Sequence, residues 1–206
     1  MPDAAADTVY QMKVSLRDIS PMIWRRLLVP ADLTLHGLHR AIQIAFEWED
    51  YHLHAFKLHG RCYGTMWTGE RHYHTDGREI ALADLGLRLR QRILYEYDFG
   101  DLWEHDIRVE ARLTRDAGKI YPTCIAGSRA GPPEDIGGPG GYHALLDRLR
   151  FGDVDRLLSA TGDEEDDEGF DDDDPVRAFE PERFSQREVN IELKREWADA
   201  NGNAES

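Results

Sequence analysis

Cysteine is almost absent: only Cys62 and Cys124 occur in 206 residues, and neither belongs to a CxxC or CxxxC spacing. That excludes a disulfide framework and argues against a cysteine-based zinc site. No apolar run approaches the ~18 residues that a membrane helix needs. The first ten residues, MPDAAADTVY, lack the basic and apolar regions of a signal peptide. These absences together predict a cytoplasmic protein with reduced thiols and no membrane partner. Bases are also scarce, 25 Lys and Arg against 40 Asp and Glu, for a formal charge of −15. Non-specific nucleic-acid binding relies on clustered cations that neutralise phosphates, so nucleic acid is not the expected partner. The two short basic runs, Trp24 to Arg26 and Arg88 to Arg92, read as solvated faces. Nucleotide and nucleophile signatures are missing too: there is no G-x-x-x-x-G-K-[ST] and no G-x-S-x-G.

What is present reads as one globular domain. Hydrophobic residues make up 41% and aromatics 10%, enough for a real core in a chain of this length. The acidity is uneven, because residues 163–174 hold ten acids and no base. Such a block repels itself and buries nothing, so it is expected to be a solvated loop. Residues 1–162 carry 20 bases against 23 acids and are nearly neutral. The expected organisation is a disordered start over 1–8, a single domain over 9–198 interrupted by the acidic loop, and a disordered end over 199–206.

Residues 9–19 alternate in the strand manner, with Tyr10, Met12, Val14 and Leu16 on one side. A second strand follows between Pro21 and Pro30. The clearest helix has Leu35, Leu38, Ile42, Ala45 and Phe46 in one stripe, Thr34 as N-cap, and His36, Arg40, Gln43 and Glu47 on a wet face. A strand over His52 to Gly60, a short helical piece near Leu82 to Leu87 and a hairpin over Tyr95 to Glu110 come next. A long glycine- and proline-rich loop from Tyr121 to Gly141 leads into a helix starting near Tyr142. The last helix carries a capping box in Ser185 and Glu188 with a staple of Phe184 and Val189, so the acidic block is internal. This order predicts an α+β fold, a mainly antiparallel sheet of five or six strands packed with three or four helices. Helices do not alternate regularly with strands, which excludes a doubly wound sheet.

The hairpin is the most unusual stretch. An odd-length loop centred on Asp101 would pair Phe99 with Trp103, Tyr97 with His105 and Tyr95 with Ile107, collecting every aromatic on one face. The other face would then carry Glu96, Asp98, Glu104 and Asp106. Like charges directly opposite one another are destabilising. Either arginines from elsewhere or a divalent metal should therefore lie against them, and oxygen-rich clusters suit magnesium, calcium or manganese. Acids that merely face water, and a histidine satisfied within the core at His105, are the plainer reading. His52 and His54 share one face of a strand, a spacing also found in metal sites. His72 and His74 repeat it in a polar connection. The candidate cluster is thus Asp98, Glu104, Asp106 and His105, with His52 and His54 nearby. The loop with Pro133, Glu134, Asp135 and Tyr142 is a second candidate, since its prolines stiffen it and its glycines permit close backbone approach.

Five ordered stretches, MIWRRLLVP, LHRAIQIAFEWEDYHLHAF, YEYDFGDLWEHDI, GPPEDIGGPGGY and FEPERFSQREVN, resemble the Ri-plasmid open-reading-frame-three-like family over about Tyr10 to Leu193. The resemblance implies a compact α+β domain of bacterial or archaeal origin, often encoded on plasmids or near mobile elements. It brings no agreed catalytic residues. A label likening some members to a transposon resolvase finds no support in these residues, whose C-terminal region is acidic rather than basic. The first functional expectation is a non-catalytic binding module with a protein partner. A metal-dependent hydrolase of phosphate esters or nucleic acid is the second, and a DNA-binding accessory protein the third. The sequence leaves the oligomeric state open.

Overall fold

The computed structural model describes residues 7–64, 75–159 and 178–202. The acidic block at 163–174, His72 and His74 lie outside the described residues, as do 1–6 and 203–206 at the two ends.

One sheet organises everything else. Its strands are β1 (Thr8–Leu16), β2 (Trp24–Pro30), β3 (His54–Leu58), β4 (Arg61–Gly64), β5 (Thr75–Asp76), β6 (Arg92–Tyr97), β7 (Trp103–Thr114) and β8 (Thr123–Ser128). They lie in the order β5-β4-β3-β6-β7-β1-β2-β8. Every neighbouring pair is antiparallel except β4 with β5. The period-two alternation predicted for β1 holds: Tyr10, Met12, Val14 and Leu16 are buried while Gln11, Lys13 and Ser15 remain partly exposed. The buried face continues through Leu27, Val29, Ile93, Tyr95, Ile107 and Val109. The opposite face carries charged residues open to water, as antiparallel sheets commonly do.

The helices are α1 (Leu35–Phe46), α2 (Gly138–Ser159) and α3 (Gln186–Gly202). In α1 the Thr34 hydroxyl accepts the Gly37 N–H at 3.1 Å, satisfying one of the orphan donors of the first turn. The stripe of Leu35, Leu38, Ile42, Ala45 and Phe46 is fully buried. Each of the larger side chains contributes roughly 1.5–3 kcal/mol by leaving water. Ser185 caps α3 by accepting the Glu188 N–H at 3.3 Å. Val189 and Leu193 then face the core, and Asn190 bonds both the N–H (2.7 Å) and the C=O (2.8 Å) of Cys124 in β8.

The α+β class stands, but the sheet has eight strands among the described residues instead of five or six. The three additional pieces were hidden for two reasons. β4 and β5 are too short to show a period, and β8 (TCIAGS) is composed of small residues within a glycine-rich stretch. Phe184 lies over Gly127, where an added Cβ would fall 2.5 Å from its ring. Small residues there admit that ring, so tertiary packing makes this edge a strand. Gln43 is a second correction. Expected on the wet face of α1, it is buried and donates to the Tyr95 hydroxyl at 3.0 Å.

Arg25 joins these layers. Its position in β2 points it into the core, where it is fully buried. Its Nε donates to the carbonyl of Ala45 in α1 (2.6 Å), and its Nη1 to the carbonyls of Trp24 (2.9 Å) and Ser128 (3.1 Å). The guanidinium lies over Phe46 (4.9 Å) and Phe184 (4.5 Å). Burial lowers its pKa to about 10, which still leaves it cationic at neutral pH. Arg25→Ala should therefore cost about 3 kcal/mol, since three carbonyls lose their donor and two rings lose their partner. Chemical denaturation of the variant checks this, and a change under ~1 kcal/mol would remove Arg25 from the central place given to it.

Candidate functional site

One end of the sheet gathers three of the sequence motifs. The end of β6 supplies Tyr97, the hairpin turn supplies Asp98 and Asp101, and the start of β3 supplies His54. The segment after α1 brings Trp48, Asp50 and His52, and the loop before α2 brings Glu134 and Asp135. Trp48 stacks on Tyr97 with ring centroids 5.1 Å apart and donates its indole N–H to the Pro132 carbonyl at 2.7 Å. Glu134 accepts the Glu49 backbone N–H at 2.7 Å and the Tyr97 hydroxyl. Burial, followed by Glu134, raises the Tyr97 pKa well above that of a free phenol.

The glycines of this loop are used for close approach. A Cβ on Gly131 would lie 2.0 Å from the Phe46 carbonyl oxygen, and one on Gly138 only 2.1 Å from that of Asp101. Gly138 also has φ +66°, a conformation natural to glycine. The Asp101 carboxylate accepts the Gly137 N–H at 3.0 Å. Hairpin turn and loop are thereby locked together by close backbone approach at Gly138 and by one side-chain bond from Asp101.

The hairpin has an odd-length connection and Tyr95, Tyr97 and Trp103 on one face, but its register is shifted by two residues, which leaves Phe99 in the turn and not opposite Trp103. Tyr97 pairs with Trp103, Tyr95 with His105, Ile93 with Ile107 and Glu96 with Glu104. The connection spans five residues centred on Gly100, with Asp98 (φ 52°) and Leu102 (φ 54°) in left-handed conformations. Two extra residues thus go into a turn in which Asp98 accepts the Gly100 N–H at 2.9 Å. Short-range pairing alone did not reveal that turn.

This register sorts the candidate residues into three places. Glu104 and Asp106 lie on the open sheet face. Arg17 bridges them at 2.9 and 3.1 Å, and Arg92 reaches Asp106 at 3.1 Å. Lys57 pairs with Glu96. The positive groups expected against these acids are therefore arginines and a lysine. His105 is enclosed in the core, packed edge-on to Phe46 (5.1 Å) and Trp48 (5.3 Å), with Nδ1 donating to the Trp103 carbonyl at 3.1 Å. Burial lowers its pKa to about 3. Asp98, His52 and Asp135 come together at the loop end, His52 Nε2 standing 3.7 Å from Asp98 and 3.1 Å from Asp135. Of the remaining loop residues, Pro133 and Glu134 line the cleft described below, while Tyr142 is buried in the first turns of α2.

His54 belongs to a separate buried network. Its ring stacks on His39 with centroids 3.5 Å apart and planes within 10°. His39 contacts the Tyr95 hydroxyl through Nδ1 (2.8 Å) and Asp50 through Nε2 (2.7 Å). Gln43 already donates to Tyr95, so the phenol proton goes to Nδ1 and the Nε2–H goes to Asp50, which fixes one neutral tautomer. Burial lowers the pKa of both histidines, that of His54 to about 3. Burial by itself would raise Asp50, but the contacts from His39 and Arg40 outweigh it and hold the carboxyl below its usual range. His39 and Asp50 went unnoticed in the sequence. His39 sits beside the apolar stripe of α1, and that placement was the available signal.

Beside this network opens a cleft of ≈ 410 Å³ between the end of α1, the 130–135 loop and Ala178 to Arg183. Phe46, Trp48, Tyr51 and Phe179 form its apolar lining, and Glu47, Glu49, Glu134, Asp135 and Glu180 surround it. Arg183 is the base in its wall and is paired with Glu188 at 2.8 Å. The basic runs noted in the sequence do not merge. Arg25 is buried, Arg26 is paired with Glu110 at 2.6 Å, and β7 and β1 separate β2 from β6.

A one-sided, mainly antiparallel sheet backed by three helices, with a histidine- and carboxylate-bearing end, defines this as a single-sheet α+β domain. The chain belongs to the plasmid pRiA4b ORF-3-like protein family, whose model matches residues 8–188. It is 33% identical over 146 residues to the uncharacterized protein y4hQ of Sinorhizobium fredii, covering 69% of this chain and 73% of that one. It also resembles the crystal structure of a protein of unknown function from Methanosarcina mazei Go1. There the TM-score is 0.72 at 35% identity, over 91% of this chain and 99% of the other. Among the described residues, no helix is long and apolar enough to cross a membrane.

Two predictions follow from this geometry. His54 and His105, each near pKa 3 when folded and about 6.5 when unfolded, bind more protons in the unfolded chain between those values. Stability should be level above pH 6.5 and fall below it, each histidine adding a slope approaching about 1.4 kcal/mol per pH unit. Denaturant midpoints from pH 7.5 to 4.5 check this, and His105→Leu should flatten the decline. Gly138→Ala should destabilise by about 2 kcal/mol or more, through strain and the clash with Asp101. A melting temperature equal to that of the unmodified protein would contradict it.

Proposed function

We propose that the protein is a non-catalytic binding module that takes a cationic segment of a protein partner into the cleft beside Trp48. The observation that carries this is the lining: among the described residues, five carboxylates surround an aromatic floor, opposed by one arginine that already has an acidic partner. A lysine or arginine side chain gains from such a place twice, by charge attraction and by lying over an aromatic face. The surroundings suit a macromolecular partner, since Tyr51 (71% exposed), Leu53 (43%) and Leu102 (50%) present apolar surface at the same end. Exposed aromatic and aliphatic groups rimmed by charge are a usual composition for a docking surface.

The hydrolase alternative draws less support from the geometry. Glu104 and Asp106 are tied to Arg17 and Arg92 on the open face, away from Asp98. Titration with a fluorescent Lys/Arg-rich decapeptide, and with its Glu-rich counterpart, tests the proposal. The basic peptide alone should bind, and the affinity should fall between 50 and 300 mM salt, as expected of exposed charges. A Glu47→Gln/Glu49→Gln/Glu180→Gln variant should weaken binding at least tenfold, about 1.4 kcal/mol. Absence of binding, or equal affinity in the variant, sinks the proposal.

A further inference from the structure

We propose that His52, Asp98 and Asp135 form a site for one divalent first-row metal ion of the zinc type. The three side chains come from three separate segments: the stretch before β3, the hairpin turn and the loop before α2. One ligand atom from each lies within 4.8 Å of the others. Two carboxylates at this distance repel one another unless a positive centre sits between them. Asp98 is 8% exposed, so water reaches the pair only from the side of the exposed Asp135.

The character of the contacts separates a metal site from an ion pair. His52 Nε2 stands 3.1 Å from Asp135 Oδ1 and 3.7 Å from Asp98 Oδ2, yet this nitrogen, itself shielded from water, makes no hydrogen bond to any described residue. A protonated imidazole serving as the cation would aim an N–H at one of these oxygens. Ligands of a common ion instead aim at a point between them. With metal–ligand bonds of about 2.0–2.2 Å, neighbouring donor atoms lie roughly 3.0–3.5 Å apart, close to the separations found.

The supporting contacts agree. Asp98 uses Oδ1 to accept the Gly100 N–H at 2.9 Å, which leaves Oδ2 directed at the site, the usual orienting arrangement around a ligand. The bond from Gly137 to Asp101 holds the loop bearing Asp135 against the turn bearing Asp98. The neighbouring group of His39, Asp50 and His54 is a useful contrast. It brings its atoms equally close, but both nitrogens of His39 are already occupied by Tyr95 and Asp50. His39 is thus already satisfied without an ion. An imidazole among the ligands favours zinc, nickel or iron over magnesium and calcium. Three protein ligands leave positions open for water or for a donor group of a bound molecule.

The site shares Asp135 with the cleft but does not rest on the cationic-segment reading, and metal alone is the probe. Full-length untagged protein, stripped with chelator, is titrated with zinc chloride by calorimetry, with magnesium chloride in comparison. One equivalent of zinc should bind, preferred over magnesium, and it should raise the melting temperature. Asp135→Asn and His52→Gln should each weaken zinc binding at least tenfold. Asp135 is exposed, so its variant should melt at the same temperature as the zinc-free parent, and zinc should no longer raise that temperature. The Glu47, Glu49 and Glu180 triple variant should keep full zinc affinity, which separates failure of the cleft from failure of this site. No saturable zinc binding overturns the proposal. So does binding that both single variants retain unchanged, because the ion would then be held elsewhere.

Discussion

A buried guanidinium holds the layers of this protein together. Arg25 gives hydrogen bonds to carbonyls of α1, β2 and β8 while lying over Phe46 and Phe184. Removing a charge from water is costly, and arginine bears that cost better than lysine because its planar cation is weakly hydrated and stacks on rings. The arrangement works only if the C-terminal end of α1, the edge strand β8 and Phe184, two residues before α3, meet at one point. Those same elements set the cleft: Phe46 floors it, and Ala130, two residues past Ser128, begins its far wall. The position of the candidate surface is in this sense a consequence of where one arginine is held.

The second constraint is steric. Gly131 and Gly138 let the loop before α2 touch the backbone of α1 and of the hairpin turn, at distances no Cβ would permit. Asp98 takes a left-handed conformation at φ 52° and Asp135 one at φ 57°, so two of the three grouped ligand residues sit on unfavourable backbone. Such positions persist where surrounding contacts over-determine them. Here the lock between Asp101 and Gly137 and the bonds of Glu134 to Glu49 and Tyr97 do so.

The acids of the hairpin show how one composition divides into two roles. Across the open face, Glu104 and Asp106 meet Arg17 and Arg92 in pairs that are partly exposed and individually weak, while the buried Glu96 has Lys57 as its counter-charge. At the turn, Asp98 is nearly buried and faces His52 and Asp135. Burial changes the meaning of a carboxylate: on the sheet it keeps the face wet, and at the loop end it demands a counter-charge. The histidines divide likewise, His39, His54 and His105 being held neutral by enclosure.

Local chemistry was legible in the residues themselves. The alternation of β1, the stripe and Thr34 cap of α1, the Ser185 cap of α3 and the aromatic face of the hairpin all follow from periods and short-range hydrogen bonds. The family was legible too, because its motifs are contiguous. Tertiary structure alone decided the rest. β8 is a strand because Phe184 and Asn190 cover it, and Gln43 is buried because Tyr95 offers a hydroxyl. Glu104 is paired because Arg17 directly follows the adjacent strand. His52, Asp98 and Asp135 stand 46 and 37 residues apart along the chain and meet only in three dimensions. The reason is one of range: periodicity and capping act within about four residues, whereas pairing, burial and ligand geometry depend on which distant segment the sheet order places alongside.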